Sequence, residues 1–149
     1  MLEVFYFSLG IVNSLLLIVV FLIRKNQLLI LKQIGWAYLL LAIPAVYGII
    51  LCIQEQKSIQ YGIFLGIFIA FLAIEWLFDF VLKINFRENW KRNWKIITPY
   101  LSLYYAMNYG FIVMPWKTSL VWGIIMLLLF IIQVIANIRS HPRITNEEG

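Results

Sequence analysis

Two acidic side chains interrupt an apolar stretch of this sequence. Glu75 and Asp79 lie four residues apart within residues 61–82. On an α-helix, residues at i and i+4 share one face, so the two carboxyl groups would lie close together. If Lys83 marks the membrane surface, Glu75 lies about 12 Å inside the hydrocarbon, at 1.5 Å per residue. A carboxylate at that depth is unfavourable unless it is paired, hydrated or protonated, and such residues commonly belong to ion pathways or proton relays.

Further polar side chains fall at a similar depth in later apolar stretches, and they complete the candidate ion- or substrate-binding site: Tyr100, Tyr104, Gln133 and Asn137. We expect these groups to line a polar cavity that opens to the cytoplasm. The alternative is a set of hydrogen bonds between helices, worth about 1 kcal/mol each, that only holds the bundle together.

A basic and aromatic segment, residues 83–95, follows the two carboxylates. Its aromatic residues recur every four positions, which predicts a short helix lying on the membrane surface. The candidates for binding anionic lipid headgroups are Arg87, Trp90, Lys91, Arg92, Trp94 and Lys95. We expect anionic lipids, and no nucleic acid, as partners here. Other tryptophans and tyrosines, among them Trp36 and Tyr38, fit ordinary interface aromatics.

The composition identifies the solvent in which these residues work. Of 149 residues, 63% are hydrophobic and 13% are charged, whereas soluble domains carry about 25% charged residues. Soluble, disordered and disulfide-rich proteins are therefore excluded. With one Cys and one His, no disulfide can form within the chain and no histidine-based metal centre is available. We expect neither a metal nor a cofactor.

Five stretches are long enough to cross a hydrocarbon core as helices, since about 20 apolar residues suffice. We predict a single all-α transmembrane domain over residues 1–149, with a polar tail from 139 to 149. The fourth span is the most polar, and only a helix packed against protein would tolerate its composition. The predicted spans are 2–23, 33–53, 61–82, 96–115 and 118–138.

Basic residues predict the orientation of the five spans. Ten of the 12 Lys and Arg residues fall in residues 24–32, 83–95 and 139–149, and the other two are Lys57 and Lys117. Cytoplasmic loops collect Lys and Arg, so we expect the N-terminus outside and the C-terminus in the cytoplasm. We expect the membrane to be the plasma membrane of a prokaryote.

Small residues recur along the third span on the side opposite the carboxylates: Gly62, Gly66, Ala70 and Ala73. Such a stripe allows close approach of another helix. We therefore expect the third helix to be central in the bundle, and Gly66→Leu to destabilise it more than Gly123→Leu.

No sequence motif of a known enzyme class is present: there is no nucleophile elbow and no phosphate-binding loop. The acidic pair favours a transporter or channel-like protein that binds a proton or cation. Two alternatives stay open: a membrane-embedded enzyme acting on a lipid or isoprenoid, and a non-catalytic subunit or assembly factor. A homo-oligomer or a larger membrane complex is expected.

The charge distribution yields a topology test. A reporter enzyme that works only in the cytoplasm should be active when it is fused after Gly149. A reporter enzyme that works only outside the cytoplasm should be active when it is inserted beside Lys57. Activity of the fusions on the opposite sides would contradict the predicted orientation.

Overall fold

Helices account for nearly all of the described chain. The structure is a computed structural model that describes residues 1–24, 28–82 and 94–140. Its helices are α1 (Leu2–Ile23), α2 (Leu28–Leu39), α3 (Ala42–Gln54), α4 (Ile59–Trp76), a π-helical turn (Leu77–Val81), α5 (Trp94–Thr118) and α6 (Leu120–Ser140). The predicted all-α class is confirmed.

Within the described residues, four helical segments are long and apolar enough to cross a membrane: Leu2–Ile23, Gln33–Gln54, Ile59–Trp76 and Leu120–Ser140. The protein is thus a small multi-pass membrane protein. The second segment joins α2 to α3 across a break at Leu40 and Leu41. Pro44 occupies the first turn of α3, where its missing N–H leaves no intrahelical bond unmade.

The remaining long helix, α5, corresponds to the predicted fourth span. Its 25 residues extend about 37 Å at 1.5 Å per residue, which exceeds a hydrocarbon core of roughly 30 Å. Because α5 is rich in polar residues, it is not among the four segments that are apolar enough to cross a membrane. It packs against α1, α4 and α6, so its buried face contacts protein. This is the setting in which polar residues at membrane depth are tolerated.

The helix at the centre of the bundle is α1. It packs against α2, α3, α5 and α6, whereas α4 packs against α3 and α5. The expectation that the third predicted span is central was therefore wrong. Lipid tails are as apolar as leucine side chains, so hydropathy does not distinguish a central helix from a peripheral one.

Polar contacts hold three helix ends together at one end of the bundle, which we call the Met1 end. The amide N–H of Leu2 donates to Glu55 Oε2 (3.2 Å), and Lys57 Nζ donates to Glu3 Oε1 (2.7 Å). The bond to Glu3 raises the pKa of Lys57 above its ordinary value. The pair therefore contributes at neutral pH, and on the alkaline side its contribution is lost as the pH rises through that raised pKa.

The α5–α6 junction lies at the same Met1 end. Lys117 Nζ donates to Gln60 Oε1 (2.6 Å), and the hydroxyls of Tyr61 and Thr118 lie 3.4 Å apart. Successive long segments therefore alternate in direction. The opposite end, which we call the Arg24 end, holds the last residues of α1 and α6 and the start of α5.

The small-residue stripe of α4 faces away from the bundle, which corrects the packing expectation. Gly66, Ala70 and Ala73 are exposed, and a Cβ added at Gly66 would meet no atom within 4 Å. A Cβ at Gly123 would instead lie 2.5 Å from the Trp116 ring. The α4 face that packs inward carries large side chains instead: Tyr61, Leu65, Phe68, Phe71 and Leu72.

These contacts reverse the expected order of the two glycine variants. Gly123→Leu should lower the free energy of unfolding by about 1–3 kcal/mol, because the added side chain overpacks against Trp116. Gly66→Leu should change it by less than about 0.5 kcal/mol, since its surroundings are open. Reversible unfolding in bicelles measures both values, and equal losses would contradict the placement of the two faces.

Candidate functional site

The Glu75 carboxylate lies on the inward face of α4, near its C-terminal end. It is half-buried and lies about 24 Å along the helix from Ile59, at 1.5 Å per residue. The hydroxyl of Tyr100, on α5, donates to Glu75 Oε1 at 2.5 Å. The two side chains, both candidates from the sequence, therefore meet across the α4–α5 interface.

The helix changes its geometry immediately after Glu75. Residues Leu77–Val81 form a π-helical turn, in which Leu82 N–H donates to Leu77 C=O at 2.8 Å. The spacing of Glu75 and Asp79 is therefore not that of a regular α-helix, on which the sequence argument depended. The side chain of Asp79 lies outside the described part of the structure. Single π-helical turns within α-helices occur frequently at functional sites.

A second hydrogen-bonded pair lies one turn along α5. Gln133 Nε2, from α6, donates to the Tyr104 hydroxyl at 2.6 Å, and both side chains are buried. Asn108 Nδ2 donates to the Tyr104 carbonyl at 2.8 Å. The ring of Phe71 packs against the rings of Tyr100 (5.4 Å) and Tyr104 (6.0 Å). This one α4 ring thus joins the Glu75–Tyr100 pair to the Tyr104–Gln133 pair.

Asn137 does not join this cluster in the described contacts. It is half-buried, and its backbone carbonyl accepts a hydrogen bond from Ser140 Oγ at 2.6 Å. Its position four residues after Gln133 on α6 puts it nearer the Arg24 end of the bundle.

Two residues that the sequence argument left outside the candidate site belong beside it. The Tyr38 hydroxyl, from α2, donates to Asn13 Oδ1 of α1 at 2.9 Å. The Tyr38 ring packs 6.5 Å from Phe71, the ring that also contacts Tyr100 and Tyr104. Tyr38 is 4% exposed, whereas the sequence had suggested an ordinary interface aromatic, and no sequence signal distinguishes the two placements.

The amides of the cluster have unused hydrogen-bonding capacity. Asn13 and Gln133 are both 0% exposed, yet Asn13 Nδ2 and Gln133 Oε1 have no hydrogen-bond partner among the described residues. A buried polar atom left unpaired costs about 1–3 kcal/mol, and such atoms commonly mark internal water or an ion. The cluster therefore combines a carboxylate, three phenol hydroxyls and two amides that can still bind polar groups.

The lipid-headgroup candidates lie at the edge of what the structure describes. Trp94 and Lys95 are exposed at the start of α5, with Lys95 Nζ 6.0 Å from the Trp94 ring centroid. The other candidates, Arg87, Trp90, Lys91 and Arg92, fall outside the described residues.

In residues 1–24, 28–82 and 94–140, no three His, Cys, Asp or Glu side chains gather as a metal site would require.

Comparison with known proteins gives a family. Residues 30–148 match the family described as YwiC-like protein. The chain belongs to this family. The region shared with YwiC-like proteins runs from α2 to beyond α6 and contains Glu75, Tyr100, Tyr104 and Gln133, whereas α1 precedes it. Among curated proteins and among solved structures, nothing matches the chain.

A double-mutant cycle tests the Tyr104–Gln133 pair of this YwiC-like protein. Tyr104→Phe and Gln133→Leu should each lower the free energy of unfolding by about 1–3 kcal/mol, because each leaves a buried partner unpaired. The double variant should lose about 0.5–2 kcal/mol less than the sum of the two. Tyr105→Phe is the matched control, since Tyr105 is 53% exposed and should change stability by less than about 0.5 kcal/mol. Additive single losses would contradict the pairing.

Proposed function

We propose that this YwiC-like protein is a small proton transporter or proton-conducting channel in which Glu75 is the proton-binding residue. The observation that carries the proposal is the hydrogen bond from Tyr100 to a carboxylate inside the bundle. Carboxylates within membrane segments are rare and serve in proton relays and ion pathways. A purely structural hydrogen bond between helices needs no ionisable group.

A proton needs only one binding carboxylate. Glu75 supplies one inside the bundle, where its Oε1 atom accepts a hydrogen bond from the Tyr100 hydroxyl.

Proton binding at Glu75 would alter the contact between α4 and α5. An ionised carboxylate only accepts hydrogen bonds, whereas a protonated carboxyl group also donates one. Tyr100 donates to Glu75 in the structure, and protonation gives Glu75 an O–H donor that needs an acceptor, which is either the Tyr100 oxygen with the bond reversed or another group. The π-helical turn that starts at Leu77 is a point at which α4 can adjust between the two arrangements.

The expected orientation assigns the two ends of the bundle to the two sides of the membrane. The Arg24 end, next to the basic segments, would face the cytoplasm of a prokaryotic cell, and the Met1 end would face outward. Anionic lipids at the basic segment, and a homo-oligomer or larger complex, stay predictions from the sequence.

Proteoliposomes test the proposed function directly. With a potassium gradient and valinomycin setting the potential, the wild-type protein should acidify or alkalinise the lumen, as reported by an entrapped pH-sensitive dye. Glu75→Gln keeps the shape of the side chain but cannot titrate, so it should reduce the proton flux at least about tenfold, while Glu75→Asp retains part of it. Asp79→Asn, measured alongside, shows whether the second carboxyl group contributes.

The control is Tyr105→Phe, which removes an exposed hydroxyl from the same helix as Tyr100 and should leave the flux unchanged. Wild-type flux in Glu75→Gln, or no flux above empty liposomes in the wild type, would contradict the proposal. A sodium flux that depends on Glu75 would show that the bound ion is not a proton.

A further inference from the structure

Three buried polar atoms of the described core lack a hydrogen-bond partner: the Tyr6 hydroxyl, Asn13 Nδ2 and Gln133 Oε1. Their residues are 1%, 0% and 0% exposed. Tyr6 and Asn13 are seven residues apart on α1, which places them on one face about 10 Å from each other. Two donors unpaired on the same face of the central helix indicate a shared polar feature rather than isolated defects.

Packing between α1 and α6 places Gln133 near the face of α1 that carries Tyr6 and Asn13. The ring of Phe7 stacks on Trp122 (4.6 Å), and Met126 Cε lies 2.9 Å from where a Cβ of Gly10 would be. The two helices therefore run in the same direction with a constant offset. Continuing that offset places Gln133 on the same seam, about one helical turn deeper than the unpaired amide of α1.

Tyr6, Asn13 and Gln133 form a row along the α1–α6 interface, and a further polar side chain lies near each end of this row. Toward the Met1 end, the Tyr6 ring packs 5.1 Å from the Tyr61 ring, and the Tyr61 hydroxyl lies 3.4 Å from Thr118 Oγ1, an exposed residue. At the deep end, Gln133 binds Tyr104, one turn of α5 from the Glu75–Tyr100 pair. The row thus leads from the Met1 end to the proposed proton-binding residue.

An apolar barrier divides the row between Tyr6 and Asn13. Phe111 Cδ1 and Met126 Cε each lie 2.9 Å from the position of a Cβ on Gly10, and both side chains are 1% exposed. Phe111 also packs 5.1 Å from the Tyr6 ring. We call Phe111 and Met126 the plug. Because Gly10 has no side chain, the plug closes directly on the α1 backbone.

We propose that Tyr6, Asn13 and Gln133 line a water route from the Met1 end of the bundle to the Glu75 site, and that the plug gates this route. The proposal rests on the proposed function and adds to it the path and its closing point. Water suits the row because it can accept from the Asn13 amide and donate to the Gln133 carbonyl. When the plug opens, a hydronium ion passes a proton to the Glu75 carboxylate and leaves water. The carboxyl group later returns that proton to water at the Arg24 end.

The plug is built from side chains that can move. Methionine is unbranched and flexible, and displacing its terminal methyl group from Gly10 would join the two halves of the row. Shortening this side chain in Met126→Ala should therefore hold the route open, whereas Tyr6→Phe should remove the first hydrogen-bonding group along it.

Access of a thiol-reactive ion to position 13 tests the route without relying on proton transport. Asn13→Cys is made in a Cys52→Ala background, since Cys52 is the single cysteine of the sequence. Ag⁺ is added on the side of the Met1 end, and unreacted thiol is then labelled with a fluorescent maleimide after denaturation. Reaction with Ag⁺ should be slow with the plug intact and at least about tenfold faster with Met126→Ala.

The matched control is Val12→Cys, one residue away at the same depth on α1 but 44% exposed on the outer face. Its reaction rate should not respond to Met126→Ala. Equal rates for Asn13→Cys with and without Met126→Ala would overturn the gated route. If Asn13→Cys does not fold, Gln133→Cys is measured in the same way with the same expected outcomes.

Proton flux separates this inference from the proposed function. Met126→Ala should raise the flux at least about threefold and Tyr6→Phe should lower it, and Glu75→Gln should abolish the flux in the Met126→Ala background as well. Flux that depends on Glu75 but is unchanged by Met126→Ala and Tyr6→Phe would overturn the route and leave the proposed function standing. A Met126→Ala flux that survives Glu75→Gln would contradict the proposed function, while the Ag⁺ result would still decide the route.

Discussion

The structure depends on one requirement: polar groups carried inside apolar helices must find partners on other helices. Lipid offers no hydrogen bonds, so each unpaired group there is costly. Glu75, Tyr104 and Tyr38 each meet this requirement with a residue from a different helix. These bonds link α4, α5 and α6 in one set and α1 and α2 in another, and the ring of Phe71 contacts tyrosines of both sets.

This requirement also explains why the most polar helix is placed as it is. The α5 helix carries the two cluster tyrosines and Asn108 on a buried face, and it packs against α1, α4 and α6. Apolar helices can face lipid at no penalty, as the exposed isoleucines and leucines of α6 do. The face of α5 that carries Tyr100, Tyr104 and Asn108 packs against protein instead, while Tyr105 and Tyr109 on its other face are exposed.

The proposed function rests on the geometry of the site and not on membership in the YwiC-like family. The Glu75–Tyr100 pair, the π-helical turn beside it and the unpaired amides near it lie within one region of the bundle. Structural hydrogen bonds would account for the paired groups. The proposed proton site rests on the two remaining features: an ionisable carboxylate among the paired groups, and buried amides with unused donors and acceptors.

The sequence by itself determined the class of protein and the positions of its long apolar segments. Segments of about 20 apolar residues are candidates for membrane helices, and four helical segments among the described residues have the length and composition to cross a membrane. It also identified Glu75, Tyr100, Tyr104 and Gln133 as candidate site residues, because polar residues are uncommon in so apolar a chain. These properties are local, and composition and helical periodicity are sufficient to read them.

Only the tertiary structure decided which faces meet. Periodicity showed that the small residues of α4 share a face, but the inward face proved to be the one bearing Phe71 and Glu75. Periodicity also could not show that Tyr38 and Asn13 form a hydrogen bond, since the two residues are 25 positions apart on different helices. The physical reason is that lipid and protein interior are equally apolar, so hydropathy places a helix in the membrane without specifying its neighbours.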